Sequence, residues 1–144
     1  MKTILIMGAA MMIVGSAMAP EVAQSQQPGS TQPTGATLAG TKRTDLQRHD
    51  LSAPGREVIQ TRVEFEPGYV SPKHWHPGEE IIYVLEGTLE YSIEGQPPKT
   101  YKAGDALTVP AEKVHWVKNV GTDHGAELAT YIVKKGKPLI TLVK

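Results

Sequence analysis

Cysteine does not occur anywhere in the 144 residues. Its absence excludes disulfides, thiolate metal sites and a cysteine nucleophile together. Net charge is missing too, because 15 Lys and Arg balance 15 Asp and Glu, and loss of a leader carrying Lys2 would leave about −1. No basic footprint therefore argues for nucleic acid, or for an anionic membrane surface contacted by the mature domain. No segment keeps a helical hydrophobic period over a useful length. The longest apolar run, within residues 4–14, falls short of the roughly 20 residues that a membrane-spanning helix needs.

That run belongs to a leader pattern. Lys2 gives a positive start, the apolar stretch follows, and Gly15, Ser16, Ala17, Met18 and Ala19 supply small residues for cleavage. Residues 1–19 are expected to be a signal peptide that exports the chain to the periplasm or the exterior. Cleavage after Ala19 would leave Pro20 behind the cut, an unfavourable residue there, so cleavage after Ala17 competes. Residues 20–44 are rich in Gln, Ser, Thr, Gly and Pro with few large apolar side chains. Such a segment buries too little surface to offset its ordering entropy, and it reads as a disordered linker or arm. One folded domain, 45–144, remains.

This domain reads as all-β. Ile59, Thr61, Val63 and Phe65 alternate with polar residues, the period-2 pattern of a half-buried strand. Residues 81–85 form a continuous run of β-formers, and Gly87 separates them from Leu89, Tyr91 and Ile93, which again alternate. Further strands are expected over 106–109, 114–120, 127–134 and 139–143, punctuated by Gly and Pro. Short strands at this spacing fit a sandwich, jelly roll or small barrel in a single domain.

Chemistry concentrates at His74-Trp75-His76-Pro77-Gly78-Glu79-Glu80 and, further on, His115. Two His at i and i+2 on extended chain face the same side, roughly 6–7 Å apart along it. The Pro77-Gly78 break lets the next strand turn Glu80 back toward them. Imidazoles with one carboxylate suit a divalent transition ion. His115 shares a strand face with Val117 and Asn119 and can approach from across a barrel. His49 and His124 lie in polar surroundings and read as solvated.

The spacing around these residues resembles the cupin superfamily. Gly68, five residues, His74-Trp75-His76, three residues, Glu80, six residues and Gly87 match its first motif; Gly104, five residues and Pro110, then His115, three residues and Asn119, match its second. Glu112 departs, standing where the family pattern has Gly. It reads as a solvated turn residue, or as an acid or base at the mouth of the pocket. The resemblance implies a small exported single-domain cupin of six to eight strands, with His74, His76, Glu80 and His115 as ligands of a divalent transition metal (Fe, Mn, Ni, Cu or Zn). It also implies a metal-dependent enzyme acting on a small molecule, first of all a dioxygenase-like oxidoreductase on an enol or diol substrate, with Glu80 able to take a proton as catalytic residue. An isomerase or lyase, or a non-catalytic binder of metal or small ligand, are the alternatives. Phe65, Tyr69, Val70, Tyr83 and Tyr91 are candidates for the cavity wall. Trp75 and Trp116 alternate away from the metal, so a homodimer interface or an adjacent strand is expected to cover them.

Overall fold

Alternation of side chains decides how the strands pack. In β2 (Arg56–Phe65) every second residue from Glu57 to Phe65 is buried, because successive side chains of an extended chain face opposite ways. The same rule runs through β4 (Gly78–Glu86), β8 (His115–Asn119) and β9 (Gly125–Lys134). Their inward faces must be covered, and two sheets cover one another. The computed structural model describes residues 39–144; the expected leader, 1–19, and most of the expected arm, 20–44, lie outside the described residues.

The remaining strands are β1 (Thr41–Asp50), β3 (His74–Trp75), β5 (Thr88–Ile93), β6 (Lys99–Lys102), β7 (Ala106–Val109) and β10 (Thr141–Leu142). One sheet has the order β1-β2-β9-β4-β7 and the other β10-β3-β8-β5-β6. Every pairing is antiparallel. Between the sheets, Ile59, Val63 and Phe65 of β2 join Ile82 and Val84 of β4 and Leu89 and Tyr91 of β5 in one core. Each such side chain contributes about 1.5–3 kcal/mol on burial. Among the described residues there is no helix, in line with the all-β expectation, and the strand count exceeds the six to eight implied by the resemblance.

Several strands differ from the sequence-based expectation. β1 starts at Thr41, inside the stretch read as an arm and ahead of the expected domain start at 45. It is an edge strand in which only Thr41 and Arg43 are partly buried. Its ladder to β2 holds it in place without an apolar alternation that sequence could display. β6 offers only Tyr101 as a partly buried apolar residue and is invisible for the same reason. The run 81–85 alternates in exposure, with Ile82 and Val84 buried but Ile81 and Tyr83 exposed by 43% and 47%. Tyr83 is therefore not a cavity residue, and neither is Val70, which is 50% exposed. Trp75 and Trp116 are half-buried; β10 pairs alongside Trp75 and the Lys73 ammonium sits 4.7 Å over the Trp116 ring.

The crossing between sheets positions the site. After β3 the chain leaves one sheet through Pro77 and enters the other at Gly78. A Cβ on Gly78 would lie 2.1 Å from the Ile132 carbonyl oxygen and 2.7 Å from Val133 Cα. Only glycine permits that approach, which lets Glu80 face the histidines from the opposite sheet.

Candidate metal centre

Strand register brings the imidazoles together. His74 of β3 lies directly across from His115 of β8, and His76, two residues on, turns to the same side. Ring centroids are 4.3 Å apart for His74 and His115, 5.0 Å for His74 and His76, and 5.1 Å for His76 and His115. One ring nitrogen from each lies within 4.8 Å of the others, a grouping that could hold a metal ion. Glu80 stands outside that group of three, yet its Oε2 comes within 3.3 Å of His76 Nε2 and 3.1 Å of His115 Nε2.

Backbone carbonyls set the tautomers. Nδ1–H of His74 donates to Pro72 O at 2.8 Å, that of His76 to Leu139 O at 2.6 Å, and that of His115 to Lys113 O at 3.0 Å. A carbonyl only accepts, so each Nδ1 carries a proton, and each ring in its neutral form offers its Nε2 lone pair. His76 Nε2 and Glu80 Oε2 are buried without a hydrogen-bond partner. At 3.3 Å they form no hydrogen bond, and an unsatisfied buried polar atom costs about 1–3 kcal/mol. The contact lengths fit coordination. Two ligand atoms each about 2.1 Å from one ion and at right angles lie about 3.0 Å apart. The donor set and its buried, partnerless atoms thus fit a divalent transition ion.

Burial, and next the neighbouring His115, push His74 down from 6.5 to about 4, so it is a neutral donor at physiological pH. Burial alone would raise the Glu80 carboxyl, but the facing His76 and His115 outweigh it and hold Glu80 well below the ordinary range. His74, Glu80 and His115 form part of the wall of a cavity of about 290 Å³. Phe65, Tyr69 and Tyr91 line it as expected, with the Phe65 and Tyr69 rings stacked at 5.7 Å.

Three polar residues of this cavity were not singled out from the sequence. Glu127 of β9 accepts a short hydrogen bond from the Tyr91 hydroxyl across the two sheets. Burial, then the charge of Glu80, pushes its carboxyl up to about 8, so it carries a proton at neutral pH. Tyr131 of β9 packs its ring, tilted by 58°, 4.8 Å from His76, and its hydroxyl receives Arg43 Nη2 at 3.1 Å. Burial, followed by the charge of Glu80, pushes that phenol well above its usual range. Strand parity was the available signal for Glu127, which shares the inward face with Ala129, Tyr131 and Val133. Arg43 carried none, since it lies in the segment read as an arm.

Other motif residues serve the frame. Asn119 is buried and spreads its amide N–H groups over the carbonyls of Phe65, Glu66 and Asp123, while its Oδ1 accepts from Gly121 N. Glu112 keeps the left-handed backbone that favours glycine, with φ of 61°. Its backbone N–H donates to His76 O at 3.0 Å. Its exposed carboxylate takes Lys134 Nζ at 2.9 Å, outside the cavity lining, as a solvated turn residue does. His49 and His124 are exposed.

A cupin domain model matches residues 61–134. Germin-like protein subfamily 2 member 2 of Arabidopsis thaliana is 34% identical over 79 residues, which cover 51% of this chain and 36% of the relative. Dimethylsulfoniopropionate lyase DddQ of Ruegeria pomeroyi is 40% identical over 53 residues, or 37% of this chain and 26% of the lyase. Among solved structures, recombinant oxalate oxidase in complex with glycolate superposes with a TM-score of 0.59 at 26% identity, over 74% of this chain and 57% of that one. The chain spans only 26% to 41% of the length of the first curated relatives it matches. With the domain match extending over half its length, the chain belongs to the cupin family.

Proposed function

We propose that the protein is a metal-dependent enzyme acting on a small enol or diol substrate, with His74, His76, Glu80 and His115 holding the ion. One observation carries this reading: the partnerless, buried His76 Nε2 and Glu80 Oε2 meet beside the imidazoles of His74 and His115, which with Glu80 line a cavity. Three imidazoles and a carboxylate suit Fe, Mn, Ni, Cu or Zn. Such an ion supplies Lewis acidity and positions open to a bidentate oxygen ligand. The carbonyls of Pro72, Leu139 and Lys113 orient the three rings. Val63, Phe65, Ile140 and Leu142 shield a bound ligand from water. Glu80 is the first candidate to take a substrate proton, and Glu127, held by the Tyr91 hydroxyl, is a second proton carrier in the same cavity.

The first reading is a dioxygenase-like oxidoreductase, supported by the likeness to an oxalate oxidase. A metal-dependent isomerase or lyase is the second. It is favoured by the protonated Glu127, which suits proton transfer without oxygen, and by the similarity to a lyase. Oxygen uptake against catechol, flavonol and β-diketone compounds separates them. Uptake abolished in His76→Ala supports the first, and turnover without oxygen the second. A metal-loaded protein that binds such compounds and turns over none of them is a binding protein and ends the enzyme reading.

The proposal extends to an exported homodimer. The leader pattern supports export, and the mass of the processed chain tests it by locating the cut after Ala17 or Ala19. Exposed Ile81 and Tyr83 on the outer face of β4 support the dimer. Sedimentation at the monomer mass would end that part.

A further inference from the structure

Arg43 sits in the cavity wall, and among the described residues no carboxylate forms a salt bridge with it, although Glu80 and Glu127 act on it from farther off. It is partly buried on β1, where inward parity with Thr41 aims both side chains at the cavity they line. Its Nη2 donates to the Tyr131 hydroxyl at 3.1 Å, and its Cζ lies 5.7 Å from the centre of that ring. A guanidinium has five N–H donors, and this phenol is its hydrogen-bond partner among the described residues. The two acids of the cavity are engaged elsewhere, Glu127 by Tyr91 and Glu80 by His76 and His115. A partly desolvated cation facing a largely apolar cavity is costly unless a ligand completes its bonds.

Charge in the cavity points the same way. A divalent ion held by three imidazoles and one carboxylate, together with the Arg43 guanidinium, leaves an excess of positive charge in the cavity. Tyr131 fixes the spacing, since its ring packs on His76 while its hydroxyl meets Arg43. Histidine cluster and guanidinium are thus separated by one tyrosine side chain, a span that a short acid bridges. A single planar fork matches a carboxylate through two parallel N–H bonds.

We propose that Arg43, oriented by Tyr131, is the carboxylate-recognising residue of this cavity, so that the substrate is a small carboxylate-bearing compound whose remaining oxygens face the histidine cluster. This rests on the metal-dependent reading above and narrows its substrate class. It makes Arg43 a specificity determinant outside both sequence motifs.

The test uses the full chain, zinc-loaded and metal-stripped, titrated calorimetrically with malonate and with neutral malonamide. Wild type is expected to prefer malonate. R43Q should weaken malonate roughly ten- to hundredfold, the worth of charge-assisted hydrogen bonds, while malonamide binding and zinc content stay unchanged. R43K should restore only part, because an ammonium keeps the charge and loses the fork. Malonate binding that is absent in wild type, unaltered in R43Q, or lost together with malonamide binding overturns the proposal. Should R43Q fail to fold, Y131F removes only the hydroxyl that aims Arg43. It must then weaken malonate selectively, and equal affinity overturns the proposal. A wild-type protein that takes up no zinc overturns the metal reading alone. Malonate binding by that protein still supports the carboxylate site if it needs Arg43, and overturns it if it does not.

Discussion

Replacing Glu127 by Gln should remove a loss of stability that the metal-stripped wild type suffers above neutral pH. The folded carboxyl titrates at about 8 against 4.5 when free. Between those values the native state holds a proton that the unfolded chain has released. Stability is therefore full below the unfolded value and is lost as pH rises through the folded one, by up to about 1.4 kcal/mol per pH unit. His74 works in the opposite sense. Its folded value is about 4 against 6.5, so the unfolded chain binds the extra proton in that window and stability rises with pH. The two slopes offset one another up to 6.5 and leave Glu127 unopposed from there to about 8, a loss of roughly 2 kcal/mol. Gln keeps an oxygen for the Tyr91 hydroxyl and is neutral throughout. Urea unfolding at pH about 5, 6.5 and 8 should show that decline of roughly 2 kcal/mol between the last two in wild type and not in E127Q. Parallel pH profiles for the two proteins would refute a protonated, buried Glu127.

Three substitutions probe the frame. Gly78→Ala puts a methyl against the Ile132 and Val133 backbone and should cost roughly 2–4 kcal/mol in denaturant unfolding; unchanged stability would mean that the β4–β9 approach is looser than described. Asn119→Ala strips partners from three carbonyls and should cost about 2–3 kcal/mol, with an unchanged urea midpoint as the contrary result. Glu112→Gly relieves a left-handed residue worth about 1 kcal/mol but adds a similar chain entropy to the unfolded state. Its stability should stay within about 0.5 kcal/mol of wild type with turnover intact, and lost turnover would give Glu112 a role beyond its turn.

How much was legible depended on where a residue's signal lies. His74, His76 and Glu80 could be brought together on paper because strand periodicity and the Pro77-Gly78 break orient side chains without knowledge of the sheet order, while His115 joined them through the resemblance to the cupin motifs. The same periodicity held more than was drawn from it. Once Glu80 faces inward, Ile82 and Val84 must follow and Tyr83 must face out, so hydrophobicity alone misplaced Tyr83. Parity along β9 likewise points Glu127 and Tyr131 into the interior. Arg43 is different in kind. It rides on an edge strand held by backbone pairing to β2, and a ladder of backbone hydrogen bonds leaves little mark on side-chain pattern. Glu112 shows the limit of a motif read as letters, because the position keeps the glycine backbone while changing the residue.

Metal stoichiometry tests the central claim most directly. Elemental analysis of the purified chain, then of stripped chain dialysed against single divalent metals, should find one transition ion per chain. It should be lost in His76→Ala and His115→Ala. Metal at about a thousandfold excess over its Kd should stabilise wild type by roughly 4 kcal/mol. Stripped protein that takes up no ion, with a Tm indifferent to added metal, would contradict the reading of His74, His76, Glu80 and His115 as a metal centre.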